Sequence, residues 1–99
     1  MSFKCISINE AKVLIDTEDA TVVDVRDAVS FTESNIPGSV HVSGDTVESF
    51  LSNVDKNKPL IVYCYHGNTS KGAADYFFSK GFSSVFSMDG GFEEWRLKY

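Results

Sequence analysis

Cysteine is scarce in this chain of 99 residues, which has only Cys5 and Cys64. Two cysteines are too few for the disulfide framework of a small secreted domain, although a single bridge between them stays open. The sequence also lacks an apolar stretch of signal-peptide length near its start and any run of about 20 apolar residues that could cross a membrane. We therefore expect a cytoplasmic protein with reduced thiols and no membrane association.

Positive charge is scarce as well. The sequence has 9 lysines and arginines against 14 aspartates and glutamates, which gives a formal net charge of −5. An acidic surface repels the phosphates of nucleic acids and anionic lipid headgroups, so we expect neither as a partner. An anionic substrate would need a local site of positive potential on such a protein.

Two kinds of apolar pattern alternate along the chain, and no repeat or linker divides it. Runs of β-branched and apolar residues predict short strands at 21–25, 39–42, 60–63 and 84–88. Apolar spacings of three and four residues predict helices between them, the first opened by a capping box at Ser7 and Glu10 and a later one ended by Gly81. We predict a single α/β domain over residues 1–99, with a small, mainly parallel sheet covered by helices on both faces.

Large aromatic side chains stand at helical spacing in the second half of the sequence. Their positions fit the core of the domain better than a ligand site, and we assign these residues to the core: Phe77, Phe78, Phe92 and Trp95.

Cys64 stands where an apolar run ends and a helical pattern begins. Ligands of open α/β sheets bind outside the carboxyl ends of the strands, which is where this thiol is expected. Gly67 permits a loop with positive φ, in which successive backbone amides turn inward and form an anion site. A helix starting near Thr69 or Ser70 points its positive end at the same place, and Lys71 adds a cation. These features predict an easily ionised, reactive thiol that faces incoming anions.

The residues that follow the cysteine are the candidate substrate-binding residues: Tyr65, His66, Gly67, Asn68, Thr69, Ser70 and Lys71. Each has a simpler explanation beside the functional one. His66 more often points to solvent and contributes only its amide. Helix capping alone would explain the polar residues 68–70.

Residues 64–69, Cys-Tyr-His-Gly-Asn-Thr, resemble the Cys-x-x-Gly-x-[Arg/Ser/Thr] active-site loop of the rhodanese family of sulfurtransferases. Two other stretches agree. Residues 23–27, with Phe31 and residues 35–39, resemble the Asp-x-Arg and His-Ile-Pro-Gly-Ala signatures of the family, and residues 89–95 resemble its Gly-Gly-x-x-x-Trp ending. The matches lie in the family's order and cover nearly the whole chain.

The resemblance implies a rhodanese-like fold and a thiosulfate sulfurtransferase. Cys64 would take the sulfane sulfur of thiosulfate, release sulfite and hold a persulfide. Cyanide in an assay, or a cellular thiol such as a thioredoxin-like protein, would collect the sulfur, and no metal or organic cofactor is implied. The chain departs from the family at Thr69 and Asn35, where many members have arginine and histidine, and the first change removes a bidentate oxyanion donor.

Two other classes of function stay open at this point. Cysteine phosphatases and arsenate reductases of related fold use a loop one residue longer that ends in arginine, whereas the loop from Cys64 to Thr69 has six residues and no arginine. A binding module without catalysis would not require Cys64 and Gly67. The sequence therefore favours sulfur transfer over both.

Three further polar groups are given structural interpretations. We expect Asp24 and Arg26 to pair at the end of a strand rather than form a catalytic cluster with Asp27. His41 is expected to pack on a short strand. Cys5 is expected to be inert, unless the fold brings it near enough to resolve an oxidised Cys64.

Overall fold

The computed structural model describes residues 3–99, in which strands and helices alternate from one end to the other. Their bounds are β1 Lys4–Ile6, α1 Ile8–Glu18, β2 Thr21–Asp24, α2 Ala28–Glu33, β3 Val40–His41, α3 Val47–Asn53, β4 Leu60–Tyr63, α4 Thr69–Ser79, β5 Val85–Met88 and α5 Gly91–Lys98. This alternation confirms the α/β class. Among the described helices, none has the length and apolar character needed to span a membrane.

The strands form one sheet in the order β1-β5-β4-β2-β3. Every pairing between the described strands is parallel, which confirms the predicted parallel sheet. The chain moves outward from β2 to β3 and then returns to β4 on the other side of β2. Open α/β sheets bind ligands beside such a reversal, at the carboxyl ends of the strands. The connection that follows β4 is therefore at the position where a site is expected.

The central strand β4 divides two hydrophobic cores. Ile61 and Tyr63 pack on one face of the sheet with residues of α1 and α5, whereas Leu60 and Val62 pack on the other with residues of α3 and α4. The alternation follows from the two-residue repeat of a strand. All four side chains are fully buried, as expected for a strand covered by helices on both faces.

The ends of two helices follow their sequence signals. The capping box is formed, because the Ser7 hydroxyl accepts from the Glu10 amide and the Glu10 carboxylate accepts from the Ser7 amide. Gly81 has a φ of +100° just after α4, as a glycine that ends a helix should. The chain therefore defines these boundaries locally.

The sequence did not predict β1 and α2, for the same physical reason. Strand β1 has three residues, of which only Ile6 is buried, and α2 has no buried residue. Without an apolar face, neither segment shows the periodicity on which sequence prediction depends. Strand β1 is formed by pairing with the distant β5, whereas α2 is defined at its start by Asp27, which caps it.

The core assignment of Phe78 was wrong, whereas Phe77, Phe92 and Trp95 are buried. Phe78 is 38% exposed. Adjacent residues of a helix point in directions about 100° apart, so Phe77 and Phe78 do not both face the sheet. Phe77 alone enters the core, where its ring packs edge-on against Phe50 and Phe82.

This difference predicts unequal effects of two alanine substitutions. Phe77→Ala is expected to lower the free energy of unfolding by about 3–5 kcal/mol, because it leaves a cavity in a packed core. Phe78→Ala is expected to cost about 1 kcal/mol, because its ring is only partly buried. Urea denaturation followed by circular dichroism measures both. Equal losses would contradict the packing described for α4.

Candidate active site

Cys64 is the first residue after β4, at the carboxyl end of the central strand. Its side chain is free and only 3% of the residue is exposed. The position follows from the apolar run of β4, which is buried between two layers of helices, so that the residue after it lies at the carboxyl end of the sheet. The thiol is therefore held on a rigid element, close to the surface but covered.

Backbone amides surround the sulfur. The amide of Gly67 donates to Cys64 Sγ at 3.3 Å, and the amide of Ser70 donates to it at 3.2 Å. Gly67 has a φ of +97°, which confirms the predicted positive-φ turn that directs amides inward. Ser70 lies in the first turn of α4, where amides have no partner within the helix. The sulfur thus occupies the position of an anion at a helix start.

Two opposing effects act on the pKa of the Cys64 thiol. Burial raises it, whereas hydrogen bonds from the Ser70 hydroxyl and from the amides of Ser70, Gly67 and His66 lower it. The hydrogen bonds prevail, so the pKa lies below its ordinary value. A larger share of the thiol is therefore ionised near neutral pH than for a free cysteine, which is what a nucleophile requires.

Ser70 does more than begin a helix. It is fully buried, and its hydroxyl lies 2.7 Å from the hydroxyl of Ser87 in β5. Asn68 precedes the helix but makes no side-chain capping hydrogen bond, so the capping interpretation was wrong for that residue. Ser87 was not singled out in the sequence. The one signal was a serine inside an apolar strand.

The other predicted site residues lie on the outside of the loop. Gly67 and Ser70 are buried, whereas the other five residues are exposed: Tyr65, His66, Asn68, Thr69 and Lys71. The contribution of these residues to substrate binding stays a prediction. The arrangement directs amides inward and polar side chains toward approaching solutes.

Tyr65 ties the loop to the start of α2. Its hydroxyl hydrogen-bonds to the carboxylate of Asp27 and lies 2.6 Å from the hydroxyl of Ser30. Asp27 caps α2, since it accepts from the Ser30 amide at 3.0 Å. The hydrogen bond from Tyr65, supported by those from Ser30, lowers the pKa of Asp27 to about 2. The loop is thus anchored on the side of β2 by a polar contact that the sequence did not indicate.

The start of α5 holds the loop from the opposite side. The amide of Phe92 donates to the carbonyl of Cys64 at 2.8 Å, and the amide of Glu93 donates to the carbonyl of Tyr65 at 3.0 Å. The contact is so close that a Cβ on Gly91, which has a φ of +60°, would lie 2.4 Å from the Tyr65 carbonyl oxygen. The turn predicted at residues 89–91 therefore has a second task, which is to position the cysteine loop.

Asp24 and Arg26 form a buried ion pair, as expected, with Arg26 Nη2 2.7 Å from Asp24 Oδ2. The same Nη2 donates to the Ser34 carbonyl at 2.7 Å, and the guanidinium carbon lies 4.3 Å from the centre of the Phe92 ring. His41 Nε2 is 2.6 Å from the carbonyl oxygen of Arg26. These contacts join α2, α5 and the end of β2. They agree with a structural interpretation of the pair.

Cys5 is separated from the site by a whole strand. It lies on β1 in register with Ser87 of β5, and β5 in turn pairs with β4. Alternate strands lie about 10 Å apart, which exceeds the Cα separation that a disulfide can bridge. A bridge between Cys5 and Cys64 is therefore excluded in this fold. Cys5 is not placed to resolve an oxidised Cys64.

Comparison with known proteins agrees with this geometry. The sequence matches the family described as Rhodanese-like domain over residues 7–98. It is 47% identical to the thiosulfate sulfurtransferase GlpE of Pseudomonas savastanoi, over 98% of this chain and 91% of that protein, and 41% identical to GlpE of Tolumonas auensis, over 98% and 92%. A crystal structure of a rhodanese-like domain protein from Staphylococcus aureus superimposes with a TM-score of 0.80 at 26% identity, covering 94% of this chain and 91% of that one.

The close approach at Gly91 leads to a prediction. Gly91→Ala is expected to displace the loop, because the new methyl group would collide with the main chain of Tyr65. We expect a lower free energy of unfolding and slower alkylation of Cys64 by iodoacetamide. Gly72→Ala is the control, since a Cβ at that position in α4 meets nothing and alanine favours a helix by up to about 1 kcal/mol. Unchanged alkylation in Gly91→Ala would contradict the positioning role of the turn.

Proposed function

This chain belongs to the rhodanese family, and we propose that it is a thiosulfate sulfurtransferase in which Cys64 carries the sulfur. The observation that supports this most directly is the ionisable thiol inside a ring of amides at the end of β4. Relatives that bear this name match 98% of the chain at 41–47% identity. The two free cysteines of the fold are compatible with the reducing cytoplasm, where we place the reaction.

The first half-reaction is a displacement at sulfur. The Cys64 thiolate attacks the outer, sulfane sulfur of thiosulfate and forms a sulfur–sulfur bond. The bond between that sulfur and the sulfonate group breaks, and its electron pair leaves with sulfite. The enzyme keeps a persulfide. The thiolate and the thiosulfate dianion together carry the same charge as the persulfide anion and the sulfite dianion, so the step is balanced. Amides at a helix start supply the attraction for a dianion that the acidic protein as a whole does not.

The second half-reaction returns the cysteine to its starting state. A thiophilic acceptor attacks the terminal sulfur of the persulfide, and the bond between the two sulfurs breaks to release the Cys64 thiolate. Cyanide becomes thiocyanate in this step, and a cellular thiol becomes a persulfide. A dithiol of the thioredoxin type is a suitable acceptor, because its second thiol then forms a disulfide with the first and displaces the sulfur as sulfide. Two successive displacements through a covalent intermediate predict ping-pong kinetics.

We assign substrate binding to the loop that follows Cys64 and to the first turn of α4. The amides of His66, Gly67 and Ser70 already converge on the sulfur. We include in this assignment the exposed side chains of the same segment: Tyr65, Asn68, Thr69 and Lys71. Arg26 does not replace the arginine that is absent from the loop, because its guanidinium is paired with Asp24.

Intact-mass measurement tests the persulfide directly. After incubation with thiosulfate, we expect the protein to gain the mass of one sulfur atom and then to lose it to cyanide with formation of thiocyanate. Cys64→Ser should abolish both signals, because it removes the attacking sulfur. Cys5→Ser is the matched control and should retain both, because Cys5 is remote from the site. Absence of the sulfur gain together with hydrolysis of an aryl phosphate would instead support the phosphatase alternative.

Substitution of Lys71 tests the side chains at the start of α4. Lys71→Ala is expected to raise the KM for thiosulfate about two- to fivefold with little change in kcat, since an exposed charge contributes binding of about this size. Lys80→Ala removes a comparable charge at the opposite end of α4 and should leave KM unchanged. Steady-state assays with cyanide as acceptor measure both variants. A KM for Lys71→Ala equal to that of the parent would remove this side chain from the site.

A further inference from the structure

Ser87 lies beneath the active site, in the interior of β5, and the mechanism so far gives it no task. Its side chain is fully buried, and its hydroxyl is 2.7 Å from that of Ser70, whose amide donates to Cys64 Sγ at 3.2 Å and whose hydroxyl lowers the pKa of that thiol. We propose that Ser87 is a positioning residue for sulfur transfer, because its hydroxyl holds the Ser70 hydroxyl against the sulfur of Cys64. The catalytic consequence rests on the proposed sulfurtransferase function, whereas the hydrogen-bond chain itself does not.

A serine at this position is unusual for its surroundings. The residues on either side of it are apolar, and the residues around it on its own face are buried as well, namely Val62 beside it on β4 and Val85 two residues earlier. A hydroxyl taken out of water destabilises a fold unless it is hydrogen-bonded. Ser70 supplies that hydrogen bond across the interface between β5 and α4. An apolar side chain at position 87 would fill the core equally well, so packing alone does not explain the hydroxyl of Ser87.

The two hydroxyls serve both ionisation states of the cysteine. When Cys64 is a thiolate, the Ser70 hydroxyl donates to the sulfur and the Ser87 hydroxyl donates to Ser70 Oγ. When Cys64 is a thiol, the direction reverses, so that the thiol donates to Ser70 Oγ and the Ser70 hydroxyl donates to Ser87 Oγ. Successive hydrogen bonds strengthen one another in a buried site. Without Ser87, the Ser70 hydroxyl loses the partner that determines its direction.

Charged side chains do not mask the effect of Ser87 on the ionisation of Cys64. Within residues 3–99, hydrogen bonds to Cys64 Sγ come from Ser70 and from backbone amides. None of them comes from the side chain of an ionisable residue on the elements around the sulfur: Asp24, Arg26, His66, Lys71, Asp89 and Glu93. Asp24 and Arg26 are paired with each other, and Glu93 is paired with Arg96. The loss of one neutral hydroxyl should therefore be visible in the ionisation of the thiol.

The test is the pH dependence of Cys64 alkylation by iodoacetamide, in a Cys5→Ser background so that one thiol reacts. Ser87→Ala is expected to move the midpoint upward by about 0.5–1 pH unit, because the hydrogen-bond chain is stronger when it ends on the charged thiolate, which therefore loses more stabilisation than the thiol does. The kcat/KM for thiosulfate should fall about three- to tenfold, as this shift in ionisation implies. Val85→Ala is the matched control, since it opens a cavity on the same face of β5 and should leave the midpoint unchanged.

A double variant determines whether Ser87 acts through Ser70. Ser70→Ala should shift the midpoint at least as far as Ser87→Ala, and the combination should shift it no further than Ser70→Ala alone. Additive shifts, or an unmoved midpoint in Ser87→Ala, would overturn the positioning role whether or not the protein transfers sulfur. Failure of the parent protein to accept sulfur, with the midpoint shifts present, would overturn the proposed function and leave the hydrogen-bond chain in place.

Discussion

The contact between the start of α5 and the cysteine loop is the constraint on which the site depends. Two amides of α5 donate to the carbonyls of Cys64 and Tyr65, and Gly91 has no side chain to separate the two stretches of main chain. With its carbonyls held from behind, the loop presents its amides to the sulfur on the other side. Tyr65 adds a second anchor through Asp27. The position and the reactivity of the thiol therefore depend more on main-chain contacts than on charged side chains.

Binding by amides rather than by charged side chains suits a sulfur donor that is a dianion. An acidic chain that binds thiosulfate needs local attraction, and amides supply it without a buried cation. Neutral donors hold an anion less tightly than a guanidinium does, which in the mechanism that we propose favours the release of sulfite after the first step. Arg26, which lies near the site, is neutralised by Asp24 and acts instead as a link between α2 and α5.

Prediction from the sequence succeeded where a segment carries its own apolar pattern. The four predicted strands and the predicted helices are present, because most of them turn an apolar face toward one of the two cores with the period of a strand or a helix. It failed for β1 and α2, which bury almost nothing, and for Phe78, whose neighbour Phe77 occupies the position that faces the sheet. Composition and spacing do not distinguish two adjacent aromatic residues in a helix, whereas packing against a sheet does.

The sequence by itself determined the chemistry of this protein, because that chemistry is local. A strand, Cys64, Gly67 and a helix start follow one another within a few residues, so the order of the chain alone places a thiol among amides. The tertiary structure decided how the thiol is held and tuned. Ser70 meets Ser87 across 17 residues of sequence, Tyr65 meets Asp27 across 38, and Cys5 is kept away by an intervening strand. Such contacts depend on how strands and helices pack, and no short stretch of sequence contains that information.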